Sequence, residues 1–489
     1  MKKISVLGGG FGGIAAAIRM RARGNEVTLF ERLGALGGRA QVFEKGGYRH
    51  DAGPTVITAP NLFYELFELL GENLEDHLEF KPLDPWYRFY FSTDQLVFDY
   101  GPNQEKMLDQ IKLLSPKDVD GYLNMLKASK DIFALGYEKL ASQPFGKLKT
   151  MLKYAPDIIR MKGYRSVYSF VSSYIKHPHL RQAFSIQPLL VGGNPFSTSS
   201  IYSLIHALEQ KWGIYFCMGG TGKLVDELEK LMLRHDITIN FHYDAEQIYV
   251  KNSQVIGINF TNGKQANFDK LICNADPIQI SSELLGREKI SLHNSFIKKF
   301  SKHSMGLFVI FFGSKVKYEN IAHHTIWMGP RYKELLKDIF DDHKLAEDFS
   351  IYLHRPTCTD ESFAPPKGDS FYALVPVPNL KGGHNWSDIK DEFTSEVMLA
   401  LDNTILPGIN TNSENVFSMT PIDFKENYRT PHGSGFSIAP LLSQSAWFRT
   451  HNQDDLYDNL FYVGAGTHPG AGLPGVINSA KVVERIIYP

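Results

Sequence analysis

The sequence predicts an α/β fold in which a Rossmann-type domain is joined to a mixed-sheet domain that carries a helical sub-region. Three observations predict it. A strand, a glycine turn, a helix and a second strand ending in an acid occupy the first 31 residues. A second glycine-rich block that leads from a strand into a helix lies at residues 462–475. Between the two, strand-like runs alternate with helical ones, and one helical stretch is strongly basic.

In the first block, Ile4-Ser5-Val6-Leu7 is a short apolar strand, followed at once by Gly8-Gly9-Gly10-Phe11-Gly12-Gly13. Small and apolar residues from Ile14 to Met20 then favour a helix that ends near Gly24, and Glu26-Val27-Thr28-Leu29-Phe30-Glu31 reads as the second strand. This is the dinucleotide fingerprint with its context complete. Gly8 allows the tight turn, Gly10 lets backbone approach a pyrophosphate, and Gly13 lets the helix lie close on the strands. The helix start offers free N–H groups and a positive dipole end to phosphate. Glu31, at the tip of the second strand, is placed to accept a bond from a ribose 2′-hydroxyl. An acid there disfavours a 2′-phosphate, which argues against NADP.

Bulk properties narrow the class. A chain of 489 residues exceeds one ordinary core, so two or three domains are expected. Hydrophobic content of 43% with 21% charged residues is globular. A formal charge of −1 gives no basis for general nucleic-acid binding. Cys217, Cys273 and Cys358 are widely spaced and form neither a disulfide framework nor a CxxC metal pair, which suits a reducing cytosol. The first strand begins almost at residue 1, so no signal peptide is expected ahead of it. The longest apolar run, 305–313, is too short to span a bilayer and reads as a buried strand.

Taken in order, Gly37-Gly38-Arg39 puts a cation beside exposed backbone amides, either as a second pyrophosphate clamp or as a charged surface turn. In Asp51-Ala52-Gly53-Pro54-Thr55, glycine follows a turn former where backbone could touch a flat ring. Residues 61–70 have helical spacing, and 87–100 alternate as hairpin strands at a domain edge. Residues 139–181 hold nine Lys/Arg and one acid, Asp157, with an amphipathic helix expected to break at Pro156. That composition suits either a membrane surface or a solvated basic face. Gly219-Gly220-Thr221-Gly222-Lys223 is not a P-loop, because Cys217 and Leu224 stand where glycine and Ser/Thr are required; Thr221 is instead expected to cap a helix. Strands are expected at 237–241, 247–250 and 255–260, and Leu271 to Pro277 reads as a return to the nucleotide domain near the adenine side, with Asn274 and Asp276 at the site. Runs at 305–312 and 371–377 read as strands and 393–401 as a helix.

The tail decides the cofactor. Leu460-Phe461-Tyr462-Val463 is a strand, and glycines including Gly464, Gly466 and Gly475 lead through Val476 and Ile477 into a helix expected from Asn478. Such a helix start can aim N–H groups at the O2 and N1 of a flavin, where negative charge gathers on reduction. NAD would not need this second site; FAD explains both, with its ADP half on the first and its isoalloxazine on the second. His468 sits inside the flavin-side block, either structural or near the ring. His177, His179, His323, His324 and His354 lack metal spacing, so no metal site is expected.

These stretches resemble the bacterial phytoene desaturase family of FAD-dependent carotenoid desaturases, within the amine-oxidase-like flavoproteins. Val191-Gly192-Gly193-Asn194-Pro195-Phe196, Ala322-His323-His324-Thr325 and Gly329-Pro330-Arg331-Tyr332 are similar to the family's internal blocks, and residues 462–475 to its C-terminal signature. The resemblance implies conversion of phytoene to lycopene, by hydride loss from an allylic CH₂ to flavin N5 and proton loss from the neighbouring carbon. It implies a long apolar polyene as substrate, a quinone or oxygen as electron acceptor, and peripheral attachment on the cytoplasmic side of the cell membrane. The FAD domain is expected from 1–75, 218–285 and 450–489, and the substrate domain from 76–217 and 286–449, with 105–215 its basic helical sub-region. Gly53, Pro54, Thr55, Gly38 and Arg39 join the cofactor set. The rivals are desaturation of a hydroxylated or shorter carotenoid, carotenoid isomerisation, and amine oxidation, which shares the fold but not these blocks. A flavin-free prenyl-binding carrier of similar fold is disfavoured by the intact glycines.

Overall fold

A parallel five-stranded sheet is assembled from both ends and the middle of the chain. The computed structural model describes residues 1–285 and 290–489. The sheet order is Leu460–Tyr462, Lys270–Cys273, Lys3–Leu7, Glu26–Phe30, Thr238–Asn240. The first helix, Phe11–Ala22, is buried along nearly its whole length, which is why alanine and glycine dominate it. It packs on the C-terminal helix, Leu473–Ile487. Buried Arg19 ties the two together through Glu484 at 2.9 Å and reaches Glu65 of the next helix at 3.0 Å. An ion pair this deep needs each partner, because removing one leaves the other charged and dry.

The second sheet has seven strands, in the order Ser413–Met419, Gly306–Ser314, Asp369–Val377, Ile351–His354, His324–Met328, Tyr87–Phe91, Leu96–Tyr100. Its pairings are antiparallel except His324–Met328 with Tyr87–Phe91, so the sheet is mixed and the 87–100 hairpin forms its edge. Strand Gly306–Ser314 is buried throughout because both faces are covered. Phe308, Ile310 and Phe312 pack toward Trp386 and Phe393 of helix Trp386–Asp402, while Leu307, Val309 and Phe311 face a cavity on the other side. Helices Leu148–Arg160 and Leu204–Trp212 add Met151, Ile158, Leu204, Ile205 and Leu208 to the cavity wall.

Three local expectations are corrected. The C-terminal helix begins at Leu473, five residues before Asn478, because Gly472 provides the non-helical N-cap and Pro474 tolerates the first turn. Pro156 lies inside helix Leu148–Arg160 instead of breaking it. The carbonyl that loses its donor belongs to Leu152, a residue on the exposed side of the helix. Helix Gly220–Arg234 is not capped by the Thr221 hydroxyl, which donates to the Pro54 carbonyl at 3.0 Å. Its cap is the carboxylate of Asp51, accepting from Thr221 N at 2.8 Å and Gly222 N at 3.4 Å. Burial raises the Asp51 pKa to about 6 against these two amides.

Candidate functional site

One cavity of about 620 Å³ joins the elements that the sequence singled out. Gly8, Gly10, Glu31, Gly38, Arg39, Gly53, Pro54, Thr55, Asn274, Gly464, Gly475, Val476 and His468 all line it. Gly13, Asp276, Gly466 and Ile477 do not. Gly13 works behind the wall: a Cβ there would overlap the Gly8 carbonyl oxygen, so glycine permits the close helix–strand approach. The carboxylate of Asp276 is engaged elsewhere, by Ile278 N at 3.0 Å and by the Ser437 hydroxyl at 2.6 Å. Gly466 packs against Pro277, and Ile477 is in the core beneath the C-terminal helix.

Asn274 is the crosspiece between the two glycine blocks. Its Nδ2 donates to the Gly8 carbonyl at 3.4 Å, and a Cβ on Gly12 or Gly464 would come within 2.5 or 2.7 Å of its Oδ1. Its strand lies on the opposite side of Lys3–Leu7 from Glu26–Phe30, so it faces the glycines and not the Glu31 end where an adenosine ribose would lie. The adenine-side placement of this stretch is corrected accordingly. Glu31 accepts from Gly9 N at 2.6 Å and Leu33 N at 2.8 Å, which fixes the carboxylate and leaves lone pairs on the cavity side. Gly8 takes φ +98°, a conformation that side chains resist.

The residues present fit FAD. The Nε of Arg39 is buried on the cavity wall without a hydrogen-bond partner, and burial lowers its pKa. Such a group calls for an anion. Gly38 backs directly onto Gly10, so the backbone of both turns is bare where a pyrophosphate passes. Across the cavity Gly472, Leu473, Pro474, Gly475 and Val476 present the first turn of the C-terminal helix. Gly53 takes φ +118° and has open space at its Cβ position.

Beyond the glycines the wall turns apolar, with Leu307, Val309, Phe311, Leu374, Leu189 and Ile326 among its residues. It reaches Phe145, then Met151 and Ile158 on the inner side of the basic helix, with Ala446 packed beside them. His468 is buried here, its ring edge-on to Phe145 and its Nε2 3.3 Å from the Leu140 carbonyl. Burial brings its pKa down to about 4, so it is neutral. One polar edge interrupts the apolar wall: Thr55 Oγ1 lies 3.0 Å from the Tyr352 hydroxyl and 2.7 Å from that of Tyr372. The sequence did not point to these tyrosines, whose strands are generic in pattern.

A sequence profile described as flavin containing amine oxidoreductase matches residues 11–483. The chain belongs to that family. Within it the flavoprotein is 43% identical over 490 residues, covering all of this chain and 99% of the relative, to phytoene desaturase (lycopene-forming) from Pantoea ananas. It is 42% identical to the enzyme of the same description from Pseudescherichia vulneris, with the same coverage. It is thus a member of the phytoene desaturase family, and an FAD-dependent oxidoreductase. The solved structure of an oxidoreductase from Methanosarcina mazei superimposes with a TM-score of 0.69 at 15% identity, covering 99% of this chain and 100% of that one, which shows the shared fold.

Proposed function

We propose that this flavoprotein converts phytoene to lycopene. The observation that carries the reading is the single cavity that touches both cofactor glycine blocks and continues into an apolar channel. The names of its relatives support the substrate. Bound FAD supplies hydride acceptance. The protein's task is to hold a long apolar chain against the ring and keep water away, which is positioning. Electrons leave to a quinone or oxygen. The test is anaerobic incubation of FAD-loaded protein with phytoene in liposomes in the presence of a quinone. Lycopene is the expected product; unchanged phytoene beside conversion of a hydroxylated or shorter carotenoid would favour the rival substrates.

The reading includes peripheral attachment at the membrane. Among the described residues no helix is long and apolar enough to cross one, yet the proposed substrate resides in the bilayer. Helix Leu148–Arg160 exposes Leu148, Leu152 and Ile159 on one stripe, the last two by more than 60%, flanked by exposed Lys147, Lys149 and Lys153. Helix Leu292–Phe300 exposes Leu292, Phe296 and Phe300, and is joined to the first by the 446–448 turn through His293 and Ala446. Apolar side chains below the headgroups with cations at phosphate level is the interfacial pattern. Reversing Lys147, Lys149 and Lys153 to Glu is expected to cut binding to anionic liposomes, most at low salt, at about 1 kcal/mol per contact. FAD content should stay normal. Co-sedimentation equal to wild type would remove this helix from the docking face.

Glu31 is assigned to the adenosine ribose. Glu31→Gln is expected to weaken FAD binding by about 1–3 kcal/mol, read by titration of apoprotein, while turnover per bound flavin holds. Loss of turnover at flavin saturation would contradict the assignment.

A further inference from the structure

Strand pairing gathers three histidines that the sequence keeps apart. His324 and His354 are direct cross-strand partners, and His354 is in turn opposite Tyr372. His323 completes the group, with one ring nitrogen of each within 4.8 Å of the others. All three are buried. The group continues the polar edge of the cavity. From Thr55 the Tyr352 hydroxyl leads to His324 Nδ1 at 2.7 Å. His354 Nε2 meets His323 Nε2 at 3.1 Å, and His323 Nδ1 meets the Thr359 hydroxyl at 2.7 Å. Thr359 is half-exposed and follows exposed Cys358. One step is open: His324 Nε2 is buried with no partner. The ring nitrogens of the three histidines lie within 4.8 Å of one another, inside the reach of one bridging water at about 2.8 Å per bond.

We propose that Tyr352, His324, His354 and His323 form a relay that carries the proton of each desaturation step from the cavity to solvent at Thr359. The proposal rests on the desaturase reading above. In that reaction a C–H bond of one carbon breaks with its electron pair going to FAD as hydride. The neighbouring C–H bond then gives its electrons to the new C=C bond and releases H⁺. The hydride stays on the reduced cofactor; the proton must cross an apolar interior. A released proton is passed on by Grotthuss exchange, the hydroxyl accepting at a lone pair and donating its own proton from the same oxygen, each imidazole accepting on one ring nitrogen and donating from the other, so the chain itself is unchanged after the reorienting step.

The surroundings suit transmission. Among the described residues no carboxylate pairs with the rings. Tyr87, Tyr372 and Phe216 pack on them, His50 stands near His354, and the nearby cation Arg355 is paired with Asp369 at 3.0 Å. Burial lowers the pKa of His324 to about 3 and those of His323 and His354 well below the usual histidine value. Rings this weakly basic do not trap a proton. The same geometry could hold a metal ion, and the test separates the two.

Anaerobic stopped flow with phytoene and a pH dye in weak buffer reads flavin bleaching and proton release in one sample. In the unmodified enzyme the two are expected to run together with a solvent deuterium isotope effect. Tyr352→Phe keeps the ring and cuts the chain; proton release is expected to slow at least tenfold, with part of the rate restored by added imidazole. Normal FAD content with unchanged release and isotope effect would overturn the relay. If Tyr352→Phe does not hold FAD, His323→Gln at the outer end takes its place under the same criteria. Histidine-selective ¹⁵N spectra of the unmodified protein read the cluster without substrate: three singly protonated rings from pH 8 to 5 are expected. A ring doubly protonated at pH 7, or one equivalent of tightly held zinc by elemental analysis, would overturn the proposal. Failure of the unmodified enzyme to bleach with phytoene would instead count against the desaturase reading, leaving the spectra to judge the cluster.

Discussion

A Gly10→Val protein is expected to fold and to leave purification colourless. A Cβ at this position would come within 2.8 Å of Asn274 Nδ2, the far end of a side chain that can move, and next nearest is the Gly37 carbonyl at 3.8 Å. The backbone therefore tolerates the change. The valine methyls, however, extend along the bare strip between Gly10 and Gly38 that the pyrophosphate needs, and push it off the helix N-terminus. A loss of about 3 kcal/mol, roughly two orders of magnitude in FAD affinity, is expected. Absorbance of the purified protein near 450 nm against 280 nm reads it directly. Gly13→Ala should fail differently. Its Cβ would overlap backbone, the Gly8 carbonyl, with nothing flexible to yield, so yield and melting temperature should fall together with colour. A yellow Gly10→Val protein at wild-type stoichiometry would mean that the phosphates do not pass there.

This contrast marks what was legible in the sequence. The glycines could be assigned because their constraint is local: a turn angle at Gly8, an approach at Gly10, a packing distance at Gly13, all within one βαβ unit. The mixed sheet and its hairpin edge were also readable, because alternation at 87–100 and the apolar run at 305–312 are local patterns. What was missed is held by tertiary pairing. Asp51 reads as a turn residue in its own segment, yet it caps a helix that starts 169 residues later, at Gly220. Asn274 reads as adenine-side in sequence, and only the strand order sets it between the two glycine blocks, since that order is invisible until the sheet forms. The His323-His324 pair was visible, but His354 joins it only through antiparallel register. The exposed stripe of helix Leu292–Phe300 shows only in the folded chain, because nothing local tells a buried apolar face from an uncovered one.

Buried imidazoles should make the folded state acid-sensitive well above the range where carboxylates titrate. Burial lowers the pKa to about 4 for His50, His206 and His468, and to about 3 for His303 and His324. In the unfolded chain each returns to about 6.5. The sign follows from proton counting: below 6.5 the unfolded state takes up protons that the folded state refuses, so stability is complete above 6.5 and is lost as pH falls toward 4. Each histidine removes up to about 1.4 kcal/mol per pH unit in that window. Buried acids act the other way. Glu209 is raised to about 8 by burial and Asp51 to about 6, so each adds stability as pH falls through its folded value toward the unfolded one. Those five histidines outweigh these two acids by about 4 kcal/mol per pH unit between 6 and 4.5; buried His323 and His354 act with the histidines and Asp454 with the acids. Against a total stability of about 5–15 kcal/mol, that removes a large share of it by pH 5. Guanidinium midpoints at pH 7.5, 6 and 5 should fall steeply across the last interval, and His206→Gln should flatten the slope while lowering the midpoint at pH 7.5. A midpoint that stays level from pH 7.5 to 5 would mean that these rings reach water, and that the interior described here is wetter than its packing.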